Sequence, residues 1–188
     1  MPTEPASAAT EQSPSEGPPR AVLIAALVVA VVALGVVLGI AAARRTAVQP
    51  VAIASVPAPQ ADSPECQRLL DALPTGLGDF ERATALDPVP AGTAAYRAGT
   101  EGDAVILRCG LDRPADFVVG TQLQMVNQVQ LFRLDDPDTD RSTWVSVDRP
   151  VYIALTLPTG SGPTPIQTMS DVIAQTMPGV PVTPGPAR

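Results

Sequence analysis

The chain has 188 residues and a formal net charge of −7, and its twelve basic residues are all Arg, with no Lys and no His. The acidic balance argues against nucleic acid as a partner, because the phosphate backbone would repel such a protein. The lack of His and Lys removes the usual general base at neutral pH, a common metal ligand and any Lys nucleophile. We therefore predict no catalytic residue, no metal site and no cofactor.

The chain begins with a polar segment that is followed by an apolar run. Residues 1–20 are rich in Pro, Ser, Ala, Thr and Glu, a composition that buries too little apolar surface to fold, so we predict a disordered tail. Residues 21–43 contain no charged, amide or hydroxyl side chain. A helix of this length rises about 34 Å, enough to cross a hydrocarbon core of about 30 Å. The run predicts one transmembrane helix in a single-pass protein of the cell membrane, integral to the lipid bilayer.

A cleaved signal peptide is the alternative interpretation of this run. Residues 41–43 are three alanines and fit the small-residue pattern of a cleavage site. However, the run is longer than the apolar core of a usual signal peptide, and Arg20 is the only positive side chain before it. These two properties favour an uncleaved anchor.

The apolar run also contains a spacing that can bring two membrane helices together. Gly35 and Gly39 lie four residues apart, which allows close approach of helix backbones. They are the predicted helix–helix contact of a homodimer, although so simple a sequence produces this spacing easily by chance.

Proline content sets the remaining domain boundaries. Residues 44–63 contain three prolines among Ala, Val and Gln, and this composition is typical of an extended stalk. Residues 178–188 contain four prolines and are predicted to be a disordered tail. The folded domain is therefore predicted to span residues 64–177.

The two cysteines, Cys66 and Cys109, are predicted to form a disulfide. Closing a loop of about 43 residues would stabilise a small domain by about 4 kcal/mol on the chain-entropy account. Disulfides persist in oxidising compartments, so the domain is expected to be extracytoplasmic. Two unrelated buried thiols are the alternative. Arg44 and Arg45, directly after the apolar run, argue weakly for a cytoplasmic domain by the positive-inside rule and conflict with the cysteine argument.

The predicted domain opens with a helix. Ser63 fits an N-cap, and Pro64 and Glu65 suit the first helical turn. Apolar residues then recur at helical spacing, at Cys66, Leu69, Leu70 and Leu73. The helix should end at Pro74.

Strand patterns dominate the middle of the domain. Strands are predicted at residues 94–97, 104–109, 143–147 and 151–157, with a turn at residues 148–150. Apolar and polar residues also alternate between residues 122 and 134, and the alternation changes phase near Val126 and Asn127, which suggests a bulge or a break.

A second helix closes the domain and decides the fold class. Thr164 is predicted as its N-cap, Pro165 as a first-turn residue and Gln167 as the capping-box partner. Its predicted buried face contains Ile166, Met169, Val172, Ile173 and Met177. The order of helix, several strands and helix predicts an α+β domain with an antiparallel sheet and flanking helices, preceded by the transmembrane helix and the Pro-rich stalk.

Several segments of the domain together resemble a known family. The segments are Cys66-x-x-Leu69-Leu70, Leu107-Arg108-Cys109-Gly110 and Val147-Asp148-Arg149-Pro150-Val151-Tyr152. They are similar to segments of an actinobacterial family of single-pass membrane proteins that carry a domain of unknown function. The resemblance covers most of residues 64–158. It implies an anchored envelope domain and supplies no known activity.

Two arginines are candidates for binding an anion. Arg108 and Arg149 both adjoin predicted strands and could meet on one sheet face, where paired guanidinium groups would bind a phosphate or carboxylate. The favoured alternative is that each pairs with an internal acid such as Asp148 or Asp112.

The densest acidic cluster matches only the start of a calcium loop. Asp136, Asp138 and Asp140 match its first three ligand positions. Arg141 stands where the sharp turn needs Gly, and Val147 stands where the bidentate Glu is needed. We predict a solvated acidic hairpin loop between two strands.

Together, these observations predict a membrane-anchored, non-catalytic extracytoplasmic domain that binds a protein or a cell-envelope component. Trp144, Tyr152 and Phe132 are interpreted as core or half-buried sheet residues. One alternative is a structural subunit of a membrane complex that acts through its transmembrane helix. The other is a hydrolase of envelope glycans that uses carboxylates alone.

Overall fold

The computed structural model describes residues 19–45, 49–100 and 102–187, and residues 1–18 of the predicted tail lie outside that part of the chain. The chain divides into two compact units, Met1–Thr46 and Ala47–Arg188. In the first unit, the described residues form the helix α1 (Arg20–Arg45). The span Arg20–Ala41 has a mean hydropathy of 3.2, and its side chains are exposed. The predicted apolar helix is present, and its length and composition fit either a membrane span or a signal sequence.

The second unit is an α+β domain, as predicted. Its helices are α2 (Pro64–Asp71) and α3 (Thr164–Thr176). Its strands are β1 (Gly76–Leu77), β2 (Phe80–Ala83), β3 (Thr93–Arg97), β4 (Ala104–Leu111), β5 (Gln124–Val126), β6 (Val129–Asp136), β7 (Arg141–Ser146) and β8 (Tyr152–Pro158).

The eight strands form one antiparallel sheet in the order β1-β2-β3-β4-β8-β7-β6-β5. Strands β1 to β4 form one meander and β5 to β8 form another, and the pairing of β4 with β8 joins the two in the centre. Neighbouring strands within each meander are joined by turns or loops, which is the usual connection of antiparallel strands.

Both helices of the domain pack on one face of the sheet, called here the helix face. Alternate residues of β4 divide between the two faces: Val105, Leu107 and Cys109 are fully buried beneath the helices, whereas Arg108 lies on the opposite face. The predicted inward residues of both helices join this core, as Cys66, Leu69, Ile166, Met169, Ile173 and Met177.

Residues 49–61, called here the strap, cover part of the opposite face. Val51 and Ile53 are 3% and 8% exposed and pack with Ala95 of β3. The sequence predicts a free stalk in this region, and the structure corrects that prediction. The proline-rich composition does give an extended backbone, but two apolar side chains at alternate positions attach it to the sheet.

The strap also approaches β4 closely. The backbone N–H of Gln60 donates to the carbonyl oxygen of Gly110 at 3.0 Å. Gly110 has a φ of +84°, and a Cβ at this position would lie 2.2 Å from the carbonyl carbon of Gln60. Glycine is therefore required here both for the backbone angle and for the contact.

The Pro-rich C-terminal segment, residues 178–187, is also packed against the domain, unlike the predicted disordered tail. The N–H of Gly185 donates to the carbonyl of Phe117 at 2.8 Å, and the N–H of Val180 donates to the carbonyl of Asp148 at 2.9 Å. Residues 178–187 are held by backbone hydrogen bonds to segments that are distant in sequence. The local composition of these residues cannot predict such bonds.

The two predicted helix starts have different outcomes. The Ser63 side chain accepts from the N–H of Cys66 at 3.3 Å, which confirms it as the N-cap of α2. The prediction for α3 is wrong by one residue, because Pro163 is the N-cap and forms no side-chain cap bond. Pro163 already has a helical backbone conformation, so Thr164 lies inside the helix. The N–H of Gln167 donates to the carbonyl of Pro163 at 3.0 Å.

The phase change near Val126 and Asn127 is a hairpin turn. Val126 pairs with Val129, so the loop contains two residues, and Asn127 has a φ of 53°. Asn tolerates this left-handed conformation better than most residues. The register irregularity of a bulge lies elsewhere, between Cys109 and Leu111.

Candidate functional site

A cavity of about 330 Å³ lies on the helix face, between the sheet and the first turn of α3. Small-molecule sites in proteins have volumes of about 300 to 1,000 Å³, so this cavity suits a small ligand or the end of a larger one. We call it the Trp144 cavity.

The apolar part of the cavity comes from the alternation of the central strands. Trp144 of β7 and Leu157 of β8 point to the helix face and are 9% and 2% exposed. Ile166 in the first turn of α3 closes the side that faces the core. Arg133 of β6 is the register partner of Trp144, and its Cζ lies 5.3 Å from the centroid of the ring, a cation–π contact.

The polar part of the cavity carries amide and hydroxyl groups. Gln124 of the edge strand β5 and Gln167 of α3 line it, together with Ser142 of β7. Amides and hydroxyls donate and accept hydrogen bonds. The start of α3 also lines the cavity, and its N-cap residue Pro163 forms no side-chain cap bond.

The cavity has little net charge. Arg133 forms an ion pair with Asp135, with Nη2 2.7 Å from Oδ1. The pair is exposed and adds little to stability, but it offsets the charge of the guanidinium group. The described residues that line the cavity include no Asp and no Glu. The site is therefore suited to an uncharged polar ligand, and its lining supplies no carboxylate for general acid or base catalysis.

The loop from β8 to α3 forms the outer wall. Gly160 and Gly162 have φ values of +84° and +73°, and a Cβ at either position would meet nothing within 4 Å. The loop is held by Ser161, whose Oγ donates to the carbonyl of Pro158 at 2.6 Å. The glycines permit the turn here, and they leave the mouth of the cavity without bulky side chains.

The predicted disulfide is present. The Sγ atoms of Cys66 and Cys109 are 2.00 Å apart, and both residues are fully buried. The bond connects α2 to the central strand β4. It lies in the core and is not part of the Trp144 cavity.

The structure does not bring Arg108 and Arg149 together. Arg149 forms a buried ion pair with Asp148, with Nη1 2.9 Å from Oδ1, in agreement with the alternative interpretation. Arg108 lies on the opposite face and donates to the carbonyl of Ala54 in the strap at 3.3 Å. Asp112 is not its partner.

The acidic cluster forms the loop between β6 and β7. Asp136 accepts from the N–H groups of Asp138 and Thr139 at 3.1 and 3.3 Å. A hydrogen bond from the Thr139 side chain, supported by these N–H groups, lowers the pKa of Asp136. Within the described residues, no group of His, Cys, Asp or Glu is arranged to hold a metal.

The predicted contact of Gly35 and Gly39 stays a prediction. Both glycines lie in α1, and a Cβ at either position would meet nothing within 4 Å.

Sequence reasoning missed the polar part of the Trp144 cavity. Gln124, Ser142 and Gln167 are common residues in unremarkable positions. The strand register brings Gln124 and Ser142 together, and the packing of α3 on the sheet adds Gln167. The loop glycines were the one local signal, because closely spaced Gly and Pro residues before a helix indicate an open turn.

A family model described as "Protein of unknown function (DUF3515)" matches residues 27–182. The match confirms the resemblance to a family that carries a domain of unknown function. No curated protein and no solved structure matches the chain.

Proposed function

We propose a function for this chain, which belongs to the family "Protein of unknown function (DUF3515)", from its own geometry. The chain is a membrane-anchored, non-catalytic extracytoplasmic domain. It binds an uncharged sugar unit of a cell-envelope polymer in the Trp144 cavity.

The anchor is supported by α1. The helix combines a mean hydropathy of 3.2 with side chains that are exposed within its own unit. Large apolar side chains along it, such as Val29 and Leu27, are 68% and 65% exposed, a pattern that suits contact with lipid. In water the same surface would cost about 25 cal/mol for each Å² of apolar area.

The extracytoplasmic location is supported by the disulfide. Cys66 and Cys109 are bonded to each other, and the part of the chain that the structure describes has no free cysteine. In most cytosolic proteins the cysteines are kept as reduced thiols, whereas disulfides persist in oxidising compartments.

Binding is supported by a single observation, the composition of the Trp144 cavity. Trp144 and Leu157 offer an apolar surface, while Gln124, Gln167 and Ser142 offer both donors and acceptors. A sugar has the same combination, because its hydroxyl groups donate and accept and its C–H groups are apolar. The lack of a lining carboxylate among the described residues favours binding over hydrolysis of such a polymer.

The test uses Trp144 as a reporter, because it is the only Trp in the chain. The full-length protein in neutral detergent is titrated with soluble oligomers of N-acetylglucosamine, and the Trp emission is followed. We expect a saturable change. Gln167→Ala should raise the Kd about two- to tenfold, as expected for the loss of one hydrogen bond.

The matched control is Gln67→Ala. Gln67 lies in α2, where its side chain donates to the carbonyl of Asp62, and it does not line the cavity. An unchanged Kd for Gln67→Ala and a raised Kd for Gln167→Ala support the site. A linear, unsaturable response of the wild type, or equal Kd values for all three proteins, would reject sugar binding in this cavity.

A further inference from the structure

A second feature lies on the face of the sheet opposite the Trp144 cavity. In β7, Trp144 points to the helix face, so Arg141 and Thr143 point to the opposite face. Arg108 of β4 lies on that face too, because its neighbours Leu107 and Cys109 are in the helix-face core. The sheet therefore presents Arg108 and Arg141 on one surface.

Among the described residues, neither of these arginines has an acidic partner within ion-pair distance. Within the described part of the chain, ion pairs are formed by Arg68, Arg133 and Arg149 only. Arg108 donates to the carbonyl of Ala54, and Arg141 donates to the carbonyl of Ala104. A guanidinium group has several N–H donors in a planar fork, so each retains donors for a ligand.

The positive charges of the two arginines act on each other. Burial lowers the pKa of Arg108, and the charge of Arg141 lowers it further. The Nε of Arg108 is also buried and has no partner among the described residues. Burying a cation without a counter-charge is unfavourable, and it is unexpected in a chain of net charge −7 with many carboxylates to choose from. A bound anion would remove this cost.

Two hydroxyl groups lie between the arginines in the register of the sheet. Thr143 pairs with Thr156 of β8, and their Oγ1 atoms are 2.9 Å apart. Thr156 in turn pairs with Ile106, which lies between Ala104 and Arg108 on β4. Both threonines and both arginines are partly exposed, so a small ligand can reach them.

We propose that Arg108, Arg141, Thr143 and Thr156 form a binding site for a phosphate group. The guanidinium groups bind its oxygens through charge-assisted hydrogen bonds. One Thr hydroxyl donates to the other, and the remaining hydroxyl proton supplies a weaker donor to the phosphate. Arg97 shares the face but donates to the carbonyl of Gln49 at 2.6 Å, so it holds the strap. The phosphate comes either from a small soluble ester or from a lipid headgroup, and the two sources share this chemistry.

The test measures the effect of phosphate on the full-length protein in neutral detergent. The Tm is compared in inorganic phosphate and in chloride at equal ionic strength, and the Kd is obtained by calorimetry. Phosphate should raise the Tm of the wild type. Arg141→Gln can still donate to the carbonyl of Ala104 but loses the charge, and it should raise the Kd by at least about tenfold.

Arg68→Gln is the matched control for loss of one positive charge. Arg68 lies on α2, pairs with Glu65 and has a side chain that is 57% exposed. Its phosphate response should equal that of the wild type. If Arg141→Gln fails to fold, Thr156→Val keeps the shape of the side chain and removes the hydroxyl donor. Equal phosphate responses in the wild type and the site variants would overturn the proposal.

The source of the phosphate is decided with water-soluble lipids. Dihexanoyl phosphatidylglycerol is titrated beside inorganic phosphate, with dihexanoyl phosphatidylcholine as the zwitterionic comparison. Tighter binding of the anionic lipid than of inorganic phosphate, lost in Arg141→Gln, assigns a lipid headgroup. Tighter binding of inorganic phosphate assigns a soluble ligand. If neither probe distinguishes Arg141→Gln from the wild type, there is no phosphate site.

Discussion

Arg149 and its neighbour Asp148 together connect three segments that are far apart in the sequence. The guanidinium pairs with Asp148 after β7, and its Nη2 donates to the carbonyl of Gln128 in the β5–β6 turn at 2.7 Å. Asp148 in turn accepts from the N–H of Gln130 at 3.0 Å. Its carbonyl binds the N–H of Val180, which belongs to the C-terminal segment. The pair therefore holds the β7–β8 turn, the β5–β6 turn and the C-terminal segment together.

Replacing Arg149 should be costly because it leaves Asp148 buried without a counter-charge. We expect Arg149→Met to lower the free energy of unfolding by about 3 to 5 kcal/mol, measured by urea denaturation. Arg68→Met, at the exposed pair with Glu65, should lower it by about 0 to 1 kcal/mol. A loss below about 1 kcal/mol for Arg149→Met would show that the buried pair is not needed for the fold.

Because of Tyr96, we expect the free energy of unfolding to depend on pH in alkaline solution. The Tyr96 hydroxyl donates to the carbonyl of Pro74 at 3.0 Å, and burial raises its pKa above the usual value of about 10, with Arg82 partly opposing the shift. Because the folded state holds this proton more tightly than the unfolded state, the stabilisation is complete below pH of about 10 and is lost as the pH rises through the folded pKa.

Tyr96→Phe tests this sign. The variant should be less stable than the wild type at pH 7 by about 1 kcal/mol, from loss of the hydrogen bond to Pro74. The difference should shrink above pH of about 10, where the wild type alone loses the contribution of this proton. Urea denaturation at neutral and alkaline pH measures both values, and a difference that stays constant would contradict the raised pKa.

Among the elements, α2 depends on its covalent connection to β4. The helix has only 8 residues, too few to be stable alone, and Cys66 in its first turn is bonded to Cys109. Replacing both cysteines by Ala should lower the free energy of unfolding by about 2 to 5 kcal/mol. Denaturant titration of the oxidised wild type and the double variant gives the difference.

The same bond tests the proposed compartment. Native membranes are treated with a thiol-alkylating mass tag under denaturing conditions, before and after reduction. We expect tagging of Cys66 and Cys109 only after reduction. Tagging of both without reductant would remove the argument for an extracytoplasmic domain, and the Arg44–Arg45 pair would then favour the cytoplasmic side.

The contact between the strap and β4 can also be tested by substitution. Gly110→Ala brings a Cβ against the backbone of Gln60, whereas Gly160→Ala introduces the same left-handed strain at a φ of +84° in open space. Gly160→Ala should therefore cost about 1 to 2 kcal/mol, and Gly110→Ala clearly more. Hydrogen exchange at the N–H of Gln60 should speed up only in Gly110→Ala. Equal effects of the two substitutions would show that the strap is not tightly held.

The sequence predicts those helices and strands whose capping and apolar patterns lie within a few neighbouring residues. The cap at Ser63 and the apolar spacing of α2 lie within a few residues of each other, and the apolar strands β4, β7 and β8 are recognisable from their own side chains. The strap could not be predicted in this way. Val51 and Ile53 are buried because they pack on Ala95, and their own sequence neighbourhood does not indicate that contact. The composition correctly indicates an extended chain there, but it does not report a docking surface that is distant in sequence.

For the whole molecule, the predicted α+β class with an antiparallel sheet is correct. The sequence does not predict the order of the strands in that sheet. The central pairing of β4 with β8 joins residues more than forty positions apart, and it brings Arg108 and Arg141 onto one surface of the sheet. The alternation of side chains along the strands places the Trp144 cavity on the opposite face. Both candidate sites depend on register across the sheet. Among local signals, only Gly160 and Gly162 point to the Trp144 cavity, and the candidate anion site in the sequence pairs Arg108 with Arg149 instead of Arg141.

The strap also sets the N-terminal boundary of a fragment that can fold and be purified alone. A fragment beginning at the helix start near Pro64 would lose Val51 and Ile53 and would expose the apolar surface of Ala95 to water. It would also lose the bond from Arg97 to the carbonyl of Gln49. A secreted, helix-free version of the protein should therefore begin at or before Gln49, and shorter fragments should aggregate during purification for reasons unrelated to the membrane helix.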